Sequence, residues 1–265
     1  MLHSRITFRT TITALFAAAA LQSAAAGAAD IMSFTPSRDT TIFSDADNLA
    51  SSAGESAFAG ATASGLARRA LIYFDLSDVP AGTQQVIGAS FAISVDRTPG
   101  DANPMTLHRL LADWGTGGSN SGTGGGGAQA LPGDATWSHR FFGDNSRRWV
   151  DGGGTDSPGG FFDPTPSATL VVGTPDRYVW ESPTLAADVQ SWIDAPGTNF
   201  GWILIGEEAA PRSAKRFYSS EAALVSFRPA LTLELAPIPE PSTYAMLASG
   251  LGCLALLARR RSRRV

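Results

Sequence analysis

Residues 87–95 alternate strictly between larger apolar side chains and small ones. The apolar positions are Ile87, Ala89, Phe91, Ile93 and Val95, and the positions between them are Gly88, Ser90, Ala92 and Ser94. A period of two places alternate residues on opposite faces of a strand, so this segment predicts a half-buried β-strand. A chain that contains such a strand must pair it in a sheet and cover its apolar face.

Other segments carry the same kind of signal. Leu231, Leu233 and Leu235 alternate with polar residues, and residues 70–76 and 200–205 are apolar on both faces, as central strands are. Pro-Gly turn signals such as 80–82, 99–100 and 196–197 separate the strand candidates. The pattern predicts an all-β fold, a jelly-roll-like antiparallel β-sandwich.

One short helix is predicted within this β-rich region. Leu185, Val189, Trp192 and Ile193 fall on one face at helical spacing. Pro183 suits the first helical turn, and Ser182 is a candidate N-cap. We expect the helix to pack Trp192 against an edge of the sandwich.

The N-terminal residues have the order of a secretory signal peptide. Arg5 and Arg9 precede an apolar run over residues 12–21, and small residues follow up to Ala29. We expect cleavage near Ala26–Ala29, which makes residues 1–29 the signal peptide. The alternative is an N-terminal anchor, for which the apolar run is short, since a span needs about 20 residues.

The C-terminus carries three features in a fixed order. Pro239, Glu240 and Pro241 come first, and an apolar run over residues 244–258 follows them. The apolar run is near the lower limit for a membrane span. The basic residues after it would hold the chain end on the cytoplasmic side; they are Arg259, Arg260, Arg261, Arg263 and Arg264.

These C-terminal residues resemble the PEP-CTERM sorting tail of Gram-negative bacteria that secrete exopolysaccharide. The resemblance makes residues 237–265 the sorting tail, with a short transmembrane segment. It implies export, transient anchoring in the inner membrane, and recognition by an exosortase that removes the tail. The protein would then reach the cell surface or the extracellular matrix. An ordinary tail anchor is the alternative.

Charge is distributed unevenly along the chain. Two of the 20 Lys and Arg precede Asp30, five follow Glu240, and all 24 Asp and Glu lie between, so residues 30–240 carry a net charge of −11. Such a surface repels nucleic acid and other polyanions at long range. The single cysteine, Cys253, lies in the apolar tail, so the exported region has no disulfide.

Residues 30–236 resemble a DNRLRE-type domain, a secreted β-sandwich module. The resemblance rests on the order of short segments along this region, among them 39–43, 68–77, 113–115, 135–137, 188–192, 199–202, 217–221 and 228–229. It implies a non-catalytic module of bacterial surface or carbohydrate-active proteins. Some related modules bind polysaccharide, including acidic polysaccharide.

The inventory of catalytic residues is small. His108 and His139 are the only histidines after residue 29, and no Gly-x-Ser-x-Gly elbow or zinc-ligand spacing accompanies them. Glu207 and Glu208 are adjacent, and neighbours on a strand point in opposite directions. The sequence therefore predicts a protein that is not an enzyme and has no cofactor, with calcium as the one exception.

Asp45, Asp47 and Asn48 lie close together in a polar segment after the first predicted strand. Calcium prefers oxygen ligands of this kind, so these residues form a candidate calcium site. The spacing lacks the rest of an EF-hand loop. The alternative is a solvated acidic loop.

Three tryptophans lie in or beside glycine-rich segments: Trp114, Trp137 and Trp149. Aromatic rings stack on the apolar faces of sugars, so exposed rings here would form a glycan-binding platform for a neutral polysaccharide. The alternative is that they cover the ends of the core. Residues 115–127, rich in Gly, Ser and Thr, are expected to be a flexible loop.

These observations favour a non-catalytic surface or extracellular-matrix protein, exported together with exopolysaccharide. The expected partners are an exosortase and, as a hypothesis, an extracellular polysaccharide, with no nucleic acid. A carbohydrate-binding module is the main alternative, and a polysaccharide-active enzyme is the third.

Overall fold

All strand pairs between the described residues are antiparallel. The computed structural model describes residues 29–79, 85–236, 249–254 and 259. Ala29–Ala236 form one unit, and all the strands below belong to it. Residues 1–28 of the predicted signal peptide, the turn at residues 80–82, Pro239, Glu240, Pro241 and the arginines after Arg259 lie outside the described residues.

The elements follow the chain in this order: β1 Asp30–Phe34, β2 Arg38–Phe43, β3 Leu49–Ser51, β4 Ser56–Ala61, β5 Ala67–Tyr73, β6 Val86–Arg97, β7 Asn103–Arg109, β8 Ala128–Gln129, β9 Ala168–Val172, β10 Arg177–Glu181, α1 Pro183–Asp194, β11 Trp202–Ile205, β12 Lys215–Tyr218 and β13 Ala230–Leu235. Two 3₁₀ turns, Pro196–Thr198 and Val225–Phe227, complete them.

The strands fall into two groups that the connecting strands β12 and β4 join. In the first group the order is β1-β13-β6-β10, and in the second it is β2-β5-β11-β7-β9. The long strand β6 pairs with β13 and β10 along most of its length and with β12 at its end. The predicted all-β class is confirmed for Ala29–Ala236, and the jelly-roll arrangement stays a prediction.

The main hydrophobic core takes residues from both strand groups. Phe91 of β6 and Leu233 of β13 lie in one cluster with Ile72 of β5 and Leu204 of β11, and all four side chains are buried. The alternation predicted for Leu231, Leu233 and Leu235 is confirmed, since all three are inaccessible to solvent. Burying these apolar faces against each other supplies the main driving force for the fold.

Helix α1 forms where the sequence predicts it. The Ser182 hydroxyl accepts a hydrogen bond from the backbone N–H of Leu185 at 2.9 Å, and Pro183 occupies the first turn. The predicted apolar face, Leu185, Val189, Trp192 and Ile193, is buried. The ring centroids of Trp192 and of Trp202 in β11 are 4.5 Å apart. The helix is therefore part of the main core.

Ile87 is an exception to the predicted inner face of β6. Its side chain is 53% exposed, while Val86 is buried in its place. Leu235 of β13 pairs with Val86 and Glu234 pairs with Gly88, so Ile87 is an extra residue in the ladder. A β-bulge of this kind reverses the alternation for the residues before it. The strict period of two could not reveal it.

Candidate functional site

Trp114 and Trp149 do not form the glycan platform that the sequence suggested. Both rings are buried, at 0% and 1% exposure, in a second core that packs on Leu71 of β5 and Ile203 of β11. Each indole N–H donates to a backbone carbonyl at 2.9 Å: that of Phe200 for Trp114, and that of Thr136 for Trp149. The expectation of exposed rings is wrong for these two residues, because the long segment that carries them covers the outer face of β5 and β11.

Trp137 is half-buried, and an arginine already lies over its ring. The Arg69 guanidinium is 4.9 Å from the ring centroid. Arg69 also donates to both carboxylate oxygens of Glu208 at 2.7 Å and to the carbonyl of Gly159 at 2.8 Å. These contacts hold Trp137 in a structural network. They also place the Glu208 carboxylate in an ion pair with Arg69.

The acidic segment proposed for calcium has its oxygens engaged by protein groups. Both carboxylate oxygens of Asp45 accept from Arg68, and Asp47 accepts from the Ser138 hydroxyl. The Asn48 side chain donates to Gln129 at 3.4 Å. Among the residues that the structure describes, no group of three or more His, Cys, Asp or Glu could hold a metal ion. An arginine therefore takes the place that the sequence assigned to a cation.

Each of the two histidines lies in a local hydrogen-bond network. His108 contacts the carbonyl of Asp163 at 2.9 Å and the hydroxyl of Thr106 at 3.0 Å, so both ring nitrogens have structural partners. His139 contacts Thr136 at 3.4 Å and Arg148 at 3.3 Å. Each ring is largely buried in its own local network.

The glycine-rich segment 115–127 is tied to the fold by an aspartate that the sequence reading did not single out. Asp134 is fully buried, and its carboxylate accepts from Ser52 Oγ at 2.6 Å and from the Leu131 N–H at 2.8 Å. It also accepts from the N–H of Gly117. This carboxylate therefore anchors the start of the loop to the fold, and the flexibility expected from its composition stays a prediction.

One end of this loop closes an arginine-lined cleft. The cleft has a volume of about 450 Å³ and lies where β4, β5, β6 and β12 meet the loop. We call it the arginine cleft, and its lining is Phe58, Thr62, Arg68, Arg97, Pro99, Thr123, Gly124, Gly125, Ala214 and Arg216. Three strands that are distant in sequence thus bring three guanidinium groups together.

Two of these arginines are fixed by ion pairs. Arg68 is 3% exposed, pairs with Asp45, and donates from Nε to the carbonyl of Gly125 at 2.9 Å. Arg216 donates to both oxygens of Asp96, at 2.8 Å from Nε and 2.6 Å from Nη2. The bond to Asp96 raises the pKa of Arg216, so this guanidinium stays charged. Both side chains shape the wall of the cleft and neutralise two acidic residues.

Arg97 is the third arginine, and it differs from the other two. It is exposed at the end of β6, and it has no ion-pair partner among the residues that the structure describes. Pro99, which is exposed, and Phe58, whose side chain is 8% exposed, also line the cleft. The arrangement can hold a ligand that combines an anionic group with apolar C–H groups.

The loop backbone packs closely against the Phe58 ring. A side chain at Gly125 would bring its Cβ to 3.1 Å from the Phe58 ring, closer than ordinary van der Waals contact. Arg216 also donates to the carbonyl of Thr123 at 3.4 Å. The glycines therefore let the backbone approach the ring and form one side of the cleft.

Buried Lys215 holds the turn that follows Pro99, one of the residues that line the cleft. It is the only lysine in the chain, and its side chain is inaccessible to solvent. Its ammonium donates to the carbonyls of Gly100 and Asp101, and burial lowers its pKa. This residue fixes the turn after Pro99.

The C-terminal segment was compared with known protein families. Residues 237–264 match the PEP-CTERM protein-sorting motif. The motif indicates an exported, surface-directed protein that an exosortase sorts, as the order of the proline motif, apolar run and arginines predicted. Comparison with curated proteins finds no match.

The sorting segment is described only in part. Residues 249–254 are helical, and the helical residue Arg259 follows after four residues outside the described set. Within the portion of the chain that the structure describes, none of the helices has the length and apolar character that crossing a membrane requires. The span predicted over residues 244–258 stays a prediction.

Proposed function

We propose that the protein is a non-catalytic component of the cell surface or extracellular matrix of a Gram-negative bacterium and associates with exopolysaccharide. In this proposal the segment 244–258 anchors it briefly in the inner membrane until an exosortase removes the tail. The sorting motif at residues 237–264 supports export and sorting. The antiparallel β-fold, taken as a DNRLRE-like sandwich, supports a binding or structural role.

The arginine cleft is the place where we propose that a polysaccharide binds. The observation that carries this proposal is Arg97, an exposed guanidinium without an acidic partner among the described residues, in a cleft that exposed Pro99 also lines. A sugar offers apolar C–H groups that can pack on Pro99, and a carboxylate on the sugar would pair with arginine. The proposed ligand is therefore a carboxylated sugar rather than the neutral glycan that the tryptophans suggested.

The net charge of −11 over residues 30–240 opposes such a ligand at long range. Salt weakens this opposition, because the screening length is roughly 8 Å at physiological ionic strength. Of the three guanidinium groups that line the cleft, Arg68 and Arg216 are already paired with Asp45 and Asp96. Arg97 is therefore the positive charge that can pair with a ligand. The local attraction decides binding once the ligand is in contact, and the overall charge slows its approach.

Affinity electrophoresis of the protein through gels that contain a uronic-acid polysaccharide or a neutral one tests this proposal. We expect retardation by the uronic-acid polysaccharide, and at least a tenfold weaker interaction after Arg97→Gln, because the variant loses a charge-assisted hydrogen bond. The matched control is Arg147→Gln, which changes the net charge equally outside the cleft. Equal retardation of both variants, or retardation only by the neutral polymer, would contradict the proposal.

A further inference from the structure

Strand β1 is the first element of the described chain and lies at an edge of the fold. It spans Asp30–Phe34 and pairs with a single strand, β13, in the register Asp30 with Leu235 and Phe34 with Leu231. Its other edge is not paired with any described strand. Cleavage of the predicted signal peptide would place β1 at the N-terminus of the exported protein, and an edge strand at a terminus can leave its neighbour without breaking the rest of the sheet.

A short linker separates β1 from the body of the fold. Residues 35–37 join β1, in the first strand group, to β2, which pairs with β5 in the second group. Pro36 in this linker restricts its own backbone and that of Thr35. Directly after it the Ser37 N–H donates to the Tyr73 carbonyl at 2.9 Å, so the fold is anchored from this residue onward. The linker thus has the features of a hinge, a short restricted connection between two separately held strands.

Strand β1 contacts β13 along its length and packs at the rim of the main core. Met32 and Phe34 are only partly buried against that core, and Ile31 is 69% exposed. Ser33 Oγ lies 3.3 Å from Thr232 Oγ1, a side-chain hydrogen bond that joins the two strands at the surface. Without β1, the edge of β13 would present unpaired backbone N–H and C=O groups, together with the rim of the core that Met32 and Phe34 cover.

We propose that copies of this chain exchange β1, so that β1 of one copy pairs with β13 of a second copy. The exchanged pair makes the same contacts as the closed one, which is why swapping of a terminal element costs little beyond association itself. A short hinge favours exchange because it limits how easily β1 folds back. Asp30 is the one charged residue of β1, and Glu234 is the one charged residue of β13. Electrostatic repulsion between β1 of one copy and β13 of another is therefore low, although each copy is acidic overall.

Sorting supplies the concentration that exchange requires. The matched sorting segment begins at residue 237, directly after β13 ends at Leu235, and Asp30 pairs with Leu235. Copies delivered to one surface by the same tail therefore carry the donor strand and the acceptor edge at the same end of the unit Ala29–Ala236. Reciprocal exchange gives a dimer, and non-reciprocal exchange gives an open chain of copies.

Disulfide trapping between two variants of the full chain tests the exchange. In a Cys253→Ser background, one copy carries Ser33→Cys and a second, differently tagged copy carries Thr232→Cys, and both are exported into an oxidising compartment together. The two positions are register partners. We expect a disulfide-linked pair of the two tags, because the two introduced thiols meet only when β1 of one copy lies on β13 of the other.

Two controls make the result decisive. Pairing Ser33→Cys with Thr165→Cys, an exposed turn position outside both strands, measures random collision. Insertion of Gly-Ser-Gly after Thr35 should lower the linked fraction several-fold, since a longer hinge lets β1 fold back onto its own β13. A linked fraction no higher than in the Thr165→Cys control would overturn the exchange, and a single chain carrying both Ser33→Cys and Thr232→Cys would then close within itself.

Discussion

At the scale of single residues, Asp39 is the clearest case of a group whose chemistry the fold changes. It lies in β2, 3% exposed, and accepts a hydrogen bond from the Ser220 N–H at 2.6 Å. Burial raises the pKa of Asp39 to about 6, with Glu221 adding to the rise, while the bond from Ser220 and the charge of Arg228 oppose it. The folded protein therefore binds this proton more tightly than the unfolded chain does.

The raised pKa of Asp39 predicts a pH-dependent stability. Because the folded pKa is about 6 and the unfolded one is about 3.8, the folded state gains relative stability as the pH falls from 7 to 4. The gain is at most about 3 kcal/mol. Asp39→Asn should remove it while keeping an acceptor for Ser220. Thermal unfolding of both proteins from pH 4 to 7 measures the difference.

Asp75→Asn is the matched control for this measurement. The N–H of Ser77 donates to exposed Asp75 and lowers the pKa of Asp75, so its contribution to stability is lost as the pH falls, the opposite sign. A wild-type minus Asp39→Asn difference that does not grow toward pH 4 would show that the Asp39 carboxylate is not buried in this way.

At the scale of elements, helix α1 depends on one side chain at its start. Ser182 Oγ accepts from the Leu185 N–H and also donates to the carbonyl of buried Ser167, which joins the start of the helix to the start of β9. Within the helix, Asp188 accepts from the indole N–H of Trp202 at 3.0 Å and from the Ser167 hydroxyl. The helix is thus tied to the β-core by polar groups at two points.

Removal of the cap should destabilise the protein measurably. Ser182→Ala loses the bond to the Leu185 N–H and leaves the Ser167 carbonyl without its donor, so we expect a loss of about 1–2 kcal/mol in the free energy of unfolding. Ser182→Thr keeps the hydroxyl and is the control. Urea unfolding measures both. A loss below about 0.5 kcal/mol in Ser182→Ala would show that the cap contributes little here.

At the scale of the whole molecule, Ala29–Ala236 form a unit whose first and last strands are paired with each other. Asp30 lies opposite Leu235, so the predicted signal-peptide junction and the matched sorting segment adjoin the same strand pair. All the strands that the structure describes lie between Asp30 and Leu235, outside the residues that either predicted step would remove.

Processing of the tail is the prediction at this scale. In the native host, mass spectrometry of the mature surface protein should find no peptide from Leu247 onward, because the exosortase removes the tail. Glu240→Ala alters the motif and should leave tail peptides on membrane-bound protein. Recovery of peptides that contain Arg259 from the mature wild-type protein would indicate a retained anchor instead.

The features that depend on local pattern could be predicted from the amino-acid sequence. The alternation of apolar and polar residues predicted which side chains of β13 face the core. Helix α1 was predicted from the spacing of Leu185, Val189 and Trp192, and its N-cap from Ser182 before Pro183. The order of the C-terminal residues predicted the sorting motif. These features are encoded by residues within a few positions of each other, where strand and helix periods and capping bonds apply.

Other features follow from contacts between segments that are distant in the sequence. A bulge opposite Leu235 turned Ile87 outward, packing on β5 and β11 buried Trp114 and Trp149, and Arg68 took the carboxylate of Asp45 that had been assigned to calcium. The arginine cleft joins Arg68, Arg97 and Arg216 from three strands. Burial and charge pairing depend on which distant segments meet, and local periodicity does not record that information.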